Sequence, residues 1–320
     1  MWNQGQNVMH NKSIELAGVI PVLPTPFSET GEVDEASFRR IIDAAIADGA
    51  DGLAMFGLAS EAFKLADAEK VRLTKILVDQ CGKRVPIIVS ITHHSLEVAR
   101  REAMEAMRLG ADALMIMPPF VMSPSPESVR NHIATIAADT TAPVIVQYAP
   151  IQTGASLNVE FIAALQQNCP NVSYVKVDSV PAGPMISQLR SSTGERVKAM
   201  VGYMGLHLPS DFARGAVAVM PTVSLVHAFA AILDLLARDP VEGRAMHERL
   251  LPLLNFMMQS VEMLIAIEKH FLQRRGLVRN TYCRSPNWTP DAFYVSEIDR
   301  LWSDLDEFLQ TSDSMKGMAS

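Results

Sequence analysis

Eight short, nearly uninterrupted apolar runs recur along this chain, at 18–23, 52–56, 86–90, 113–117, 144–148, 173–177, 199–202 and 216–220. A strand that is apolar at consecutive positions, rather than at every second one, must be covered on both faces. That is the condition of a parallel strand in an α/β fold. Amphipathic segments at 34–47, 67–80, 95–109, 125–138 and 158–167 separate the runs and open on acidic or hydroxyl residues, as helix N-termini do. A small repeat marks the joints. Gly49-Ala50-Asp51-Gly52-Leu53 returns as Gly110-Ala111-Asp112-Ala113-Leu114 and, more loosely, as Gly215-Ala216-Val217-Ala218-Val219. Each leading glycine stands where a helix ends in the left-handed conformation, and the residues after it enter a strand. Eight such units close most naturally into an α/β (β/α)8 TIM barrel, with functional loops at the C-terminal ends of the strands. Local pattern does not show closure, so a doubly wound open sheet stands as the alternative.

After the eighth run only helical pattern remains. The expected organisation is a loose N-terminal arm at 1–16, the barrel at 17–240, a C-terminal helical appendage at 241–312 and a tail at 313–320. The segment 246–271 carries Leu250, Leu254, Met257, Met258, Val261, Leu264 and Ile265 at helical spacing, and its methionines read as core filler.

Several functions are disfavoured by composition. A net charge of -7 provides no basic field for nucleic acid or anionic lipid. The most apolar stretch, 217–236, is interrupted by Pro221, Ser224 and His227, so no membrane span is expected. Cys81, Cys169 and Cys283 are odd in number and show no paired spacing, and the arm lacks the apolar core of a signal peptide. These features fit a reduced, cytoplasmic protein. No His-x-His, Cys-x-x-Cys or glycine-rich phosphate loop occurs, so neither metal nor cofactor is expected, and His93-His94 reads as part of a surface loop.

Taken alone, Lys176 reads as a solvated strand tip, but its neighbours argue otherwise. It ends a run of strand formers, Tyr174 and Val175 before it and Val177 after. Alternation places Lys176 and Tyr174 on one face and Val175 and Val177 on the other. If the first face is the barrel interior, the amine is held in a dry site, where its neutral form can attack a ketone carbon.

Further motifs line up with these strands: Gly-Val-Ile-Pro-Val-Leu-Pro-Thr-Pro-Phe at 18–27, Gly57-Leu58-Ala59-Ser60-Glu61, Gln147-Tyr148-Ala149-Pro150 with Thr153-Gly154, Tyr174-Val175-Lys176-Val177-Asp178, and Arg284-Ser285-Pro286. In this series, over 17–309, the chain resembles the dihydrodipicolinate synthase and N-acetylneuraminate lyase family of class I aldolases, as a divergent member. The resemblance implies a Schiff-base lyase or aldolase with Lys176 as nucleophile, pyruvate or a related 2-oxo acid as substrate, and a dehydratase as a close variant. It also implies substrate contacts from Gly57, Leu58, Ala59, Ser60, Gln147, Tyr148, Gly202 and Val219, and a homo-oligomer, dimer or tetramer. The apolar segment 115–122 extends past its strand and is expected at an interface.

Members of the family typically move protons with a fifth-strand Tyr, a Thr hydroxyl from a Gly-Thr-Thr turn and a Tyr from a neighbouring subunit. Here those positions carry Gln147, Leu58 and Val121, none of which is a general acid or base. Tyr148 takes the tyrosine role only if the register slips by one residue, against the placement of Pro150, Thr153 and Gly154. Gln147 can orient a substrate by hydrogen bonds. Leu58 and Ala59 dry the mouth, and Gln152 stands where some members carry a substrate-binding Arg, so a more apolar substrate and an activity other than dihydrodipicolinate synthesis are expected. The alternative is a catalytically silent barrel that binds a 2-oxo acid as sensor or scaffold. Glu61 and Asp178 read as structural carboxylates, Asp178 close enough to influence Lys176.

Overall fold

The computed structural model describes residues 14–154 and 157–318, with side chains through 310. Eight parallel strands fall on the eight apolar runs: β1 (Gly18–Val19), β2 (Leu53–Met55), β3 (Ile87–Ile91), β4 (Ala113–Ile116), β5 (Val144–Tyr148), β6 (Val172–Val177), β7 (Lys198–Val201) and β8 (Ala216–Val219). Their order is β1-β8-β7-β6-β5-β4-β3-β2. A parallel bridge between Val22 and Ala54, with Leu23 N donating to Ala54 O at 2.8 Å and Ala54 N to Pro21 O at 2.9 Å, joins the two remaining edges. The sheet is a closed barrel, and the open-sheet alternative is set aside. Regular pairing in β1 is shorter than its apolar run because Pro21 and Pro24 have no N–H to donate.

The helices are α1 (Glu35–Ala47), α2 (Asp67–Cys81), α3 (Leu96–Leu109), α4 (Pro126–Ala138), α5 (Pro150–Thr153), α6 (Val159–Asn168), α7 (Gly183–Thr193), α8 (Leu208–Ala213), α9 (Val226–Arg238), α10 (Pro240–Met257), α11 (Val261–Arg274) and α12 (Ala292–Met318). Gly49, Gly110 and Gly215, the glycines of the repeat, have φ of 100°, 111° and 101°. At Gly110 a Cβ would also lie 3.0 Å from Val78 Cγ1, so both conformation and space require glycine there.

Alternation divides each strand between two cores, which is why the runs read as continuously apolar. Ile20, Ala54, Ile88, Met115, Ile145, Tyr174 and Met200 fill the barrel interior. Val19, Leu53, Val89, Leu114, Val146 and Val175 face the helices. Leu16 belongs to the interior cluster and its amide donates to Tyr174 Oη at 3.1 Å, while Glu15 pairs with Lys198 at 2.7 Å. The arm expected at 1–16 is therefore anchored in the barrel at 14–16. Its remainder, 1–13, lies outside the described residues.

The C-terminal region is helical, as expected. α10 and α11 meet at a bend of 116°, and α11 lies against the turn at 58–60, across the C-terminal mouth of the barrel. Among the described residues no single helix is long and apolar enough to cross a membrane. The last helix runs through Met318, where a tail was expected from 313.

Asp211, in the first turn of α8, is 2% exposed. Burial pushes its carboxyl up to about 6 from 3.8, against the pull of His207 and Arg214. The folded chain thus holds this proton to higher pH than the unfolded one. Its contribution to stability is full below 3.8 and is lost as pH rises through about 6. Asp211→Asn should therefore stabilise the fold at pH 8, by about 2 kcal/mol, and have little effect at pH 4. Urea midpoints at the two pH values check this, and an equal shift at both would contradict it.

Candidate active site

Lys176 sits near the C-terminal end of β6, two residues beyond the interior residue Tyr174 and on the same face, and is 8% exposed. Its Nζ lies 3.1 Å from Asp178 Oδ2. Asp178 is fixed by two further donors, Gln147 Nε2 to Oδ2 at 2.9 Å and the Tyr203 amide to Oδ1 at 3.1 Å. Gln147, from β5, is 1% exposed and directly across the sheet from Lys176 in register. A lysine, a carboxylate and an amide are thus locked together at the top of the barrel interior. Gln147 Oε1 and Gln152 Oε1 are buried without a hydrogen-bond partner among the described residues, which leaves two acceptors for something else to satisfy.

These groups open on a cavity of about 70 Å³, whose polar lining is completed by Tyr203 and Thr222. Leu58, Ala59, Met204, Met220, Met258 and Leu264 make the rest of its wall predominantly apolar. Met258 and Leu264 come from the C-terminal helices, so the region read from sequence as an appendage, with Met258 as core filler, forms one wall of the site.

Backbone strain is concentrated at the rim. Tyr203, Met204 and Gly205 are successive left-handed residues, with φ of 49°, 55° and 70°, and this turn aims the Tyr203 amide at Asp178. Phe56 and Glu61, which flank the turn after β2, are also left-handed. Within that turn the amides of Ser60 and Glu61 bond Gly57 O and Leu58 O.

Of the residues singled out from sequence, Lys176, Gln147, Leu58 and Ala59 are brought together around the cavity. Five others are placed differently. Ser60 is fully buried, its hydroxyl donating to Leu23 O at 2.6 Å and its carbonyl accepting from Thr25 Oγ1 at 2.6 Å, a latch between the first two strand ends. Gly57 allows close approach, since a Cβ there would stand 3.0 Å from Val22 Cγ1. Gly202 clears space for Asp178, because a Cβ would fall 1.8 Å from Oδ1. Tyr148 and Val219 are corrected outright: both pack in the outer core against the helices, on the strand face opposite Gln147 and opposite Ala218 and Met220. Strand alternation excludes these two side chains from the interior, and Tyr148 cannot take the role of an active-site tyrosine.

Asp178 was legible as a member of the Lys176 face by its spacing of two. Tyr203, Thr222 and Met258 had no local signal, since only closure of the barrel and the bend before α11 bring them in. Glu61 is wholly buried and pairs with Lys269, with Lys64 at 3.2 Å and with the Arg284 amide at 3.2 Å, so it ties α11 to the mouth. His94 packs edge-on against Phe120 in a separate cleft, and burial lowers its basicity, helped by His93. Among the described residues no three His, Cys, Asp or Glu side chains come together as a metal site.

Comparison with known proteins points the same way as this geometry. Residues 15–300 match the model of the dihydrodipicolinate synthetase family. The L-2-keto-3-deoxyarabonate dehydratase of Azospirillum brasilense is 30% identical over 278 residues, which is 84% of this chain and 88% of the relative. The 4-hydroxy-tetrahydrodipicolinate synthase structure from Methylacidiphilum fumariolicum superposes with a TM-score of 0.87 at 22% identity, over 94% of this chain and 99% of that one. A dihydrodipicolinate synthase from Acinetobacter baumannii, complexed with pyruvate, gives 0.82 at 21% identity, over 90% of this chain and 98% of that one.

Proposed function

Because this chain belongs to the dihydrodipicolinate synthetase family, whose relatives are lyases and dehydratases of the class I aldolase type, we propose that it forms a Schiff base between Lys176 and pyruvate or a related 2-oxo acid with an apolar tail. The observation that carries this reading is the buried Lys176–Asp178 pair at the base of a largely apolar cavity. In the resting pair the ammonium must give up a proton before its lone pair can attack. Asp178, 3.1 Å away, is the acceptor in place. The freed amine attacks C2 of the 2-oxo acid, whose carboxylate is met by the Leu58 and Ala59 amides. Addition leaves an alkoxide at C2 and two protons on the nitrogen; one of these passes to the oxygen, and Gln147 Oε1 accepts from the resulting hydroxyl and orients it without itself exchanging a proton. The protonated imine then serves as the electron sink for breaking a bond at C3 or beyond, whether the leaving group is carbon or hydroxyl.

The space supports one short substrate at a time. A cavity of 70 Å³ holds about five waters, and so a single acid of pyruvate's size. A polar aldehyde such as aspartate semialdehyde would enter against Leu58, Met220 and Met258 without a charged partner. Condensation of pyruvate with aspartate semialdehyde should accordingly run with kcat/KM about 10²-fold or more below that for the best apolar 2-oxo acid. A panel of both substrate kinds, followed by loss or release of pyruvate, decides this. Fast turnover of aspartate semialdehyde would overturn it.

We place the protein in the cytoplasm, as a homo-oligomer. Its three cysteines are buried and unpaired. The segment 115–119 is buried within the subunit, contrary to its expected place at an interface, but Val121 and Met122 beyond it are 53% and 93% exposed, as suits a contact with a second copy.

A further inference from the structure

Glu268 is a buried carboxyl that the chemistry above does not use. It lies on α11, one turn beyond the cavity residue Leu264, and is 2% exposed. Oε1 accepts one hydrogen bond, from the Ser224 amide at 3.1 Å. Oε2 has no partner at hydrogen-bonding geometry, and neither have the hydroxyls of Thr222 and Ser224 beside it. Glu268 forms no ion pair among the described residues. The cation that bears on it, Arg275, is held by Asp48 at 2.7 Å. Burial therefore prevails over the Ser224 and Thr222 groups and over Arg275, and pushes this carboxyl up, so that it keeps a proton where a surface glutamate would not. Thr222 follows β8, lines the Lys176 cavity and borders Glu268.

We infer that Glu268 supplies the proton transfers that follow addition to C2, through the Thr222 hydroxyl, with Thr222 the catalytic residue that touches the reacting atoms and Glu268 the positioning residue behind it. The inference rests on the Schiff-base reading of Lys176. It gives the site a shuttle where Gln147 offers only an amide and Leu58 no polar group, and where the tyrosine of the cavity lining, Tyr203, comes from the turn after β7 rather than from β5. After Lys176 adds to C2, Thr222 gives its hydroxyl proton to the carbinolamine oxygen as Glu268 replaces it. The C–O bond breaks, water leaves with the bonding pair, and the nitrogen lone pair closes the C=N bond. Glu268, now a carboxylate, regains a proton through Thr222 when C3 loses one, and the electrons of that C–H bond form the enamine.

The test uses pyruvate as probe on wild type, Glu268→Gln, Thr222→Val and Thr222→Ser. Exchange of the C3 hydrogens in deuterium oxide is followed by NMR, and the imine is trapped at equilibrium with borohydride. Glu268→Gln and Thr222→Val should each slow exchange about 10²-fold while the trapped fraction stays level, and Thr222→Ser, which keeps the hydroxyl, should stay within about threefold of wild type. Unchanged exchange in both slow candidates, with imine still trapped, would overturn the relay and leave the Lys176 reading intact. Thr222→Ser as slow as Thr222→Val would also overturn it, by making Thr222 a packing residue. Wild type that neither traps nor exchanges would remove both readings. Should Glu268→Gln fail to fold, the threonine pair alone decides.

Discussion

Lys176→Ala should reduce turnover by about 10⁴-fold or more, the range in which loss of a covalent nucleophile falls. Among the described residues no other lysine lines the cavity. Lys64 and Lys269 are committed to Glu61 and Lys198 pairs with Glu15, while Gln147 and Thr222 cannot form an imine. The fold should survive, because the Asp178 carboxylate keeps the Gln147 amide and the Tyr203 N–H as donors. The lost ion pair leaves some uncompensated charge, so a modest stability loss of about 1–3 kcal/mol accompanies the catalytic one. Lys176→Met, close in length and apolar, separates packing from chemistry and should be equally inactive. Turnover by either variant above 1% of wild type, as an order-of-magnitude threshold ~10⁻², would mean that the reaction does not pass through Lys176.

Lys269→Met should destabilise the protein by about 3 kcal/mol or more. Lys269 is 1% exposed, is paired with the wholly buried Glu61, donates to Tyr282 O at 2.8 Å and stands 4.6 Å over the Phe27 ring. Removing one member of a buried pair leaves the other charged and desolvated, at a typical cost of about 3–5 kcal/mol. Lys64, 3.2 Å from Glu61, compensates in part and sets the expectation at the low end. Adding Glu61→Gln to Lys269→Met removes the stranded charge and should recover about half of the loss, a coupling that a double-mutant cycle in urea measures. Since this cluster fastens α11 to the turn that carries Leu58 and Ala59, Lys269→Met should also raise KM. A loss below about 1 kcal/mol would show that Lys64 alone neutralises Glu61.

The barrel was legible because its two cores write themselves into every strand. Residues such as Val175 and Tyr174 are both apolar only because helices cover one and the barrel interior the other. The same alternation, applied strictly, assigns Lys176, Asp178 and Gln147 to the interior and Tyr148 and Val219 to the outside, so the error over the last two was one of inheritance from motif position rather than of missing signal. Ser60 and Gly202 show a different limit. Their sequence neighbourhoods are those of a site, yet one is consumed by a latch to Leu23 and Thr25 and the other clears room for a carboxylate from the adjacent strand. What could not be read at all is what depends on contacts between segments distant in the chain. The bend between α10 and α11 carries Met258 and Leu264 to the cavity, and Glu268 reaches Thr222 only because α11 crosses the barrel mouth.

Borohydride reduction in the presence of pyruvate, followed by intact mass and peptide mapping, tests the central claim most directly. One pyruvate-derived adduct per chain, mapped to Lys176 in wild type and absent from Lys176→Ala, is the expected result. A folded wild-type protein that gains no mass with pyruvate or with any of a series of longer 2-oxo acids, or that carries its adduct on another lysine, would contradict it.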